Sequence, residues 1–231
     1  MGETEPAGGI GGATARACAR LGADLVLADL EAPQALADEL RALGRTVAAY
    51  GFDVCDRAAT EQVVAASGPL DAVVVNAGFC PWDDWNEDGW DAVFDQTIAV
   101  NLHAVMHLSR AALAAMAPRG QGKIVLVSSV AGRMGGLRAS PHYVAAKGGV
   151  NAFVKWLARK AAPVGVNVNA LAPGATASAM TATQSFDVSG IPLGRMAGPE
   201  DMAWPIAFLC SDAANYMCGT ILDVNGGVYL N

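Results

Sequence analysis

Charge is scarce in this chain. Only 16% of its 231 residues are charged, and 15 Lys and Arg are outnumbered by 22 Asp and Glu. The net charge of −7 leaves no basic surface for neutralising phosphates, so nucleic acid is not an expected partner. Histidine is rarer still, with three residues. His103 and His107 stand four apart, the spacing of a metal pair on a helix, but no third ligand accompanies them and no metal is expected. The five cysteines (Cys18, Cys55, Cys80, Cys210 and Cys218) form no C-x-x-C pair and are odd in number. This argues against a zinc site or disulfide framework and for reduced thiols in the cytoplasm. No uninterrupted apolar run reaches the roughly 18 residues of a membrane span. The acidic opening residues contain no secretory apolar segment. A cytoplasmic protein without a membrane partner is the expectation.

Apolar residues are abundant, at 53%. That suits one domain with a large core and buried subunit contacts. Short runs of Val, Leu and Ala alternate with longer helical patterns. Strands are expected at 23–30 "ADLVLADL", 45–54 "RTVAAYGFDV", 70–78 "LDAVVVNAG", 123–129 "KIVLVSS", 166–174 "VNVNALAPG" and 219–227 "GTILDVNGG". Helices are expected over 31–44, just after residue 56, about 90–117, about 141–163 and 199–212. This alternation predicts a single-domain α/β fold: a doubly wound, Rossmann-like parallel sheet with helices on both faces.

Four strand ends carry polar residues or glycine, at the edge where open α/β sheets bind ligands. "YVAAK" places Tyr143 and Lys147 four apart, on one face of a helix. An ammonium so close stabilises a phenolate and lowers the tyrosine pKa, which suits proton exchange with an alcohol or carbonyl. Ser129 closes "KIVLVSS" and Asn101 opens "NLHAVMHL".

In order, "GGIG", "LADL", "FDV", "NAG", "NLHA", "VSSVAG", "YVAAK", "NALAPG", "GRMAGPEDMA" and "LDVNGG" resemble the short-chain dehydrogenase/reductase family over nearly the whole chain. The resemblance implies hydride transfer between a carbinol carbon and NAD. Tyr143 is then the acid/base, Lys147 tunes it and holds the nicotinamide ribose, Ser129 orients the substrate oxygen, and Asn101 supports a water-linked proton path. Gly9, Ile10 and Gly11 cradle the pyrophosphate, and Asp29 bonds the adenosine ribose and favours NAD over NADP. Asp53 and Val54 flank adenine. Asn76, Ala77 and Gly78 line the cofactor channel, and Pro173 and Gly174 border the nicotinamide.

The opening "MGETEPAGGIGG" departs from that pattern. Alignment of Gly9-Ile10-Gly11 with the family's Thr-Gly-x-x-x-Gly-x-Gly turn puts Glu5 at the first glycine, with Pro6 beside it. A carboxylate 4–5 Å from the pyrophosphate costs roughly 3–4 kcal/mol per like-charge pair before screening, and Pro6 stiffens the loop. The apolar strand expected before Thr4 is truncated or missing, which would leave a gap between its sheet neighbours. An expression scar or a misassigned start is the bland alternative. The combination resembles a subunit that has lost NAD binding beside an intact homologous subunit, as a heterotetramer. Anaerobic toluene degradation has such an arrangement: two unequal short-chain dehydrogenase subunits act on 2-(hydroxy(phenyl)methyl)succinyl-CoA. A hydroxyacyl-CoA-type secondary alcohol is then the expected substrate class. The alternative is a self-sufficient NAD-dependent dehydrogenase, a homotetramer using Tyr143, Lys147 and Ser129.

Three further features bear on the site. "FCPWDDWNEDGW" (79–90) is either an aromatic substrate wall or a cap on the sheet edge. His142, beside Tyr143, is a candidate substrate contact. Residues 175–198 form a short lid.

Overall fold

The computed structural model describes residues 9–86, 88–136 and 138–231. Thr4, Glu5 and Pro6, on which the reading of the opening turn rests, lie outside the described residues. The Val- and Leu-rich runs form strands β1 (Leu25–Asp29), β2 (Val47–Gly51), β3 (Ala72–Val75), β4 (Gly122–Val127), β5 (Val166–Pro173) and β6 (Ile221–Val224). Every pairing among them is parallel, as the alternation with helices requires. The helices are α1 (Ile10–Arg20), α2 (Gln34–Ala42), α3 (Arg57–Ala66), α4 (Trp90–Ile98), α5 (Ala104–Met116), α6 (Ala131–Met134), α7 (Pro141–Ala161) and α8 (Pro199–Cys210).

Strand β4 shows why the layers form. Ile124 and Leu126 join a core with Val105, Ala112 and Met116 of α5 and Val150 and Val154 of α7. Val125 and Val127 point the other way, into a core with Met202, Ile206 and Leu209 of α8. Successive side chains of a strand alternate faces, so an unbroken apolar run serves two helical layers.

The long helix expected over about 90–117 is interrupted. Between α4 and α5 the residues Ala99–His103 form a π-helical turn, and Asn101 within it is buried. Such turns cluster at functional sites because the extra residue redirects side chains and carbonyls. The run Trp90–Arg119 is long and apolar enough to cross a membrane by length and composition alone. Its Val105, Ala112 and Met116 are packed into the sheet core.

The pairings among the described strands are β1–β2 and β3–β4–β5–β6. Among the described residues no strand pairs with the outer edge of β1 or of β3. Helix α1 ties the two parts together. Its Ala15 and Ala19 pack with Leu27, Leu36, Leu40 and Val47 of the two-stranded unit. Its Ala13 and Ala17 pack with Ala203 and Ala207 of α8, and Ile10 packs against the cluster that contains Val74 of β3. Alanine on both helices lets the backbones approach closely.

That contact has no room for a larger side chain. Ala203→Leu is expected to destabilise the fold by about 1–3 kcal/mol through overpacking, seen as a lower urea midpoint. An unchanged midpoint would mean that α1 is not clamped against α8.

Candidate active site

The site is assembled where α6 meets α7. After β4 the chain turns through Ser128 and Ser129 into α6. Helix α7 opens with Pro141 at its first position, which suits a residue without an N–H, and places Tyr143 and Lys147 one turn apart. Gly132 of α6 lies directly on α7: a Cβ there would fall 2.6–2.8 Å from the backbone of Lys147 and Gly148. Ser128 Oγ donates to Asn151 Oδ1 (2.6 Å), and Asn151 Nδ2 donates to the Gly132 carbonyl (2.9 Å). Ser128, Gly132 and Asn151 were not singled out in the sequence reading. The available signal was a glycine three residues after a serine pair and a polar residue among buried positions of a helix.

Four candidate residues converge. Ser129 stands beside Tyr143, where its hydroxyl favours the phenolate, and its Oγ accepts from Ala131 N at 3.1 Å. Lys147 Nζ lies 5.6 Å from the centre of the Tyr143 ring and donates to the Val127 carbonyl at 3.0 Å. Gly78 brings in Asn101, since a Cβ at Gly78 would lie 3.2 Å from Asn101 Oδ1 and 3.5 Å from Lys147 Nζ. The Asn101 side chain is already committed: it accepts from Phe79 N (3.2 Å) and donates to the Phe79 carbonyl (2.6 Å) and the Thr97 carbonyl (3.0 Å).

One electrostatic expectation is corrected. The Tyr143 phenol is pushed above its ordinary value, first by burial and then by Cys80, while Ser129 pulls it down. Burial outweighs any help from Lys147, whose own pKa is lowered by burial to about 8. A buried ammonium loses hydration, which disfavours its charge. Cys80, beside this pair, is pushed up to about 12, chiefly by burial.

The residues assigned to the dinucleotide follow strand ends or open a helix. Gly9 caps α1 in extended conformation, and Ile10 is turned into the core. A Cβ at Gly11 would meet Asn76 Nδ2 at 2.8 Å. Asp29 ends β1 exposed, with Oδ1 accepting from Leu30 N. Asp53 and Val54 follow β2, where Asp53 Oδ1 accepts from Cys55 N and the Val54 carbonyl accepts from Thr60 Oγ1. Asn76, Ala77 and Gly78 follow β3. Pro173 ends β5, its carbonyl accepting from Val130 N at 2.8 Å, and Gly174 packs against Asn225. The exposed Asp29 carboxylate and the close approaches at Gly11 and Gly78 fit the ribose and nicotinamide ends of a dinucleotide. The segment opposite the pyrophosphate lies outside the described residues.

The loop after β3 meets the segment that follows β5. Trp82 Nε1 donates to the Met180 carbonyl of the lid (3.0 Å), and its ring meets Phe186 edge-on at 5.9 Å. The Arg138 guanidinium lies over Phe186 and donates to the Ser185 carbonyl. His142 does not face the crevice as a substrate contact would. It is buried against Trp90 and Phe94. No group of three His, Cys, Asp or Glu residues able to hold a metal occurs among the described residues.

A parallel α/β sheet with Ser129, Tyr143, Lys147 and Asn101 at its C-terminal edge defines an oxidoreductase architecture, and comparison with known proteins bears this out. Residues 6–229 match the family described as enoyl-(acyl carrier protein) reductase. The L-rhamnose 1-dehydrogenase (NAD(P)(+)) of Azotobacter vinelandii is 34% identical, covering 96% of this chain and 93% of its own. The acetoacetyl-CoA reductase of Allochromatium vinosum is 37% identical with 97% of both chains covered. The 3-oxoacyl-[acyl-carrier-protein] reductase of Escherichia coli is 36% identical, covering 96% of this chain and 93% of its own. A solved structure from Beutenbergia cavernae, assigned provisionally as an NAD(P)-dependent gluconate 5-dehydrogenase with NADP bound at low occupancy, superposes with TM-score 0.91 at 36% identity, covering 97% of this chain and 94% of its own. The chain belongs to the short-chain dehydrogenase/reductase family.

The buried lysine sets a pH dependence. Unfolded, Lys147 keeps its proton to about 10.5; folded, it loses it near 8. Below pH 8 the fold therefore carries the full cost of a buried ammonium, and the cost is relieved as pH rises from 8 to 10.5. Lys147→Met removes this contribution. The stability of wild type relative to the variant is expected to rise by up to roughly 3 kcal/mol across that window, measured by urea unfolding of both proteins. A difference independent of pH would contradict the buried-charge assignment.

Proposed function

We propose that this chain is a subunit of an NAD-dependent short-chain alcohol dehydrogenase, itself deficient in NAD binding and supporting an intact homologous subunit. The observation that carries the reading is in the sequence: Glu5 stands at the first glycine position of the phosphate turn, with Pro6 beside it. A dinucleotide lies across the strand ends at that turn in folds of this kind, and a carboxylate there repels its pyrophosphate. The Lys147 ammonium held by the Val127 carbonyl and the Asn101 amide held by Phe79 support the same reading. In this role Tyr143 and Lys147 pack and brace the crevice.

NAD, when bound in the assembly, supplies the hydride acceptor for a secondary alcohol. The resemblance to acetoacetyl-CoA reductase supports a hydroxyacyl-CoA-type substrate. The unequal-subunit dehydrogenase of anaerobic toluene degradation is the specific form of this reading. For assembly, α5 and α7 present a groove of about 500 Å³ lined by Met106, Arg110, Leu113, Phe153, Trp156 and Lys160, with Trp156 56% exposed. An apolar face of this kind suits a second short-chain dehydrogenase subunit. A second reading, the self-sufficient dehydrogenase, is favoured by the contact of Ser129 with Tyr143 and of Tyr143 with Lys147. In that case Ser129 orients the carbinol oxygen, Tyr143 takes its proton, and Asp29 favours NAD over NADP.

Calorimetry separates the two. The isolated chain is expected to give no NAD binding heat at millimolar cofactor, whereas its assembly with an intact homologue binds. Saturable binding to the isolated chain would restore the self-sufficient enzyme.

Tyr143→Phe supplies a second, kinetic test. Loss of a general acid/base typically costs about 100- to 10,000-fold. Within the native assembly, the variant chain is expected to leave turnover nearly intact. A loss of that size with unchanged folding would show that Tyr143 is itself catalytic.

A further inference from the structure

The loop after β3 is held from three sides. Asn101 grips both backbone groups of Phe79. Ser140, which caps α7, donates from Oγ to the Pro81 carbonyl at 2.8 Å and to Asp83 Oδ1. Trp82 reaches the lid at Met180. A fourth attachment is incomplete. Asp83 Oδ2 is buried without a hydrogen-bond partner, and so are both ring nitrogens of His142 and Trp90 Nε1, among the described residues. His142 Nε2 stands 3.6 Å from Asp83 Oδ2, and the His142 side chain has no exposure.

Buried polar atoms are nearly always paired, because an unmet donor or acceptor keeps its full desolvation cost. Two of these atoms, His142 Nε2 and Asp83 Oδ2, are one small movement short of satisfying each other. At 3.6 Å the histidine and aspartate are too far apart for a hydrogen bond; a shift of about 0.7 Å would make a good one. Trp90 meets the imidazole edge-on at 5.2 Å and 85°, and Phe94 lies 6.0 Å away. Both rings pack against the buried imidazole.

We propose that Asp83 and His142 are a buried latch, in which His142 Nε2–H donates to Asp83 Oδ2 and fixes residues 79–86 as the wall over the Tyr143 crevice. His142 is the second residue of α7 and Tyr143 the third, so the latch joins the wall to the helix that carries the tyrosine. Both are positioning residues. The proposal rests on the reading of this crevice as the carbinol site only for its purpose, and its test uses no turnover.

The test is a double-mutant cycle on the full chain. Asp83→Ala and His142→Phe each remove one side of the latch, the first also removing an acceptor of Ser140 Oγ and the second keeping a ring in the buried space. Backbone amide exchange over residues 79–86 is expected to speed by about tenfold in each single variant, and the double variant is expected to be no faster than Asp83→Ala alone. Effects that multiply in the double variant, or no effect in either single one, would overturn the latch. A spectroscopic signature accompanies it: a downfield, slowly exchanging His142 Nε2 proton in wild type that disappears in Asp83→Ala. Its absence from the wild-type spectrum, or its persistence in Asp83→Ala, would also overturn the proposal. A chain inactive by itself still gives both readouts, so failure of the functional reading and failure of the latch are distinguishable.

Discussion

The close packing of α1 against α8 is the constraint on which the rest of this molecule depends. Among the described residues, side chains of α1 join the β1–β2 unit to the rest of the fold. Ala13 and Ala17 meet Ala203 and Ala207, while Ala15 and Ala19 reach the core of the two-stranded unit. Only small residues allow one helix to serve both. The same contact places Gly9–Gly11, at the start of α1.

The two halves of the crevice consequently differ in how firmly they are built. Around Tyr143 every backbone approach is fixed: Gly132 against α7, Gly78 against Asn101 and Lys147, Ser128 and Asn151 across the join. The adenosine side rests on β1 and β2, a two-stranded unit that is marginal without a covering helix. Its Asp29 is exposed, and among the described contacts its carboxylate bonds only a neighbouring amide. Among the described residues, this unit reaches the rest of the fold through α1.

Much of this was legible in the sequence. Strands rich in Val and Leu appeared where their unbroken apolar runs put them, because burial on two faces leaves no other pattern. The positions of Ser129, Tyr143, Lys147 and Asn101 followed from motif order. What stayed hidden depends on contacts distant in sequence. Nothing local marks the π-helical turn at Ala99–His103, within which Asn101 bonds Phe79. The upward shift of the tyrosine could not be read from its four-residue spacing to Lys147, since spacing gives proximity and not desolvation. His142 looked like a substrate contact by adjacency to Tyr143, yet neighbours on a helix point about 100° apart, and it faces Trp90 instead.

The central claim, that packing of α1 on α8 holds the β1–β2 unit to the rest of the fold, is tested most directly by amide hydrogen exchange of wild type and Ala203→Leu at single-residue resolution. Loosening that contact should speed exchange in β1 and β2 by about tenfold relative to β4 and β5. Equal protection of β1 and β2 in the two proteins would contradict the account.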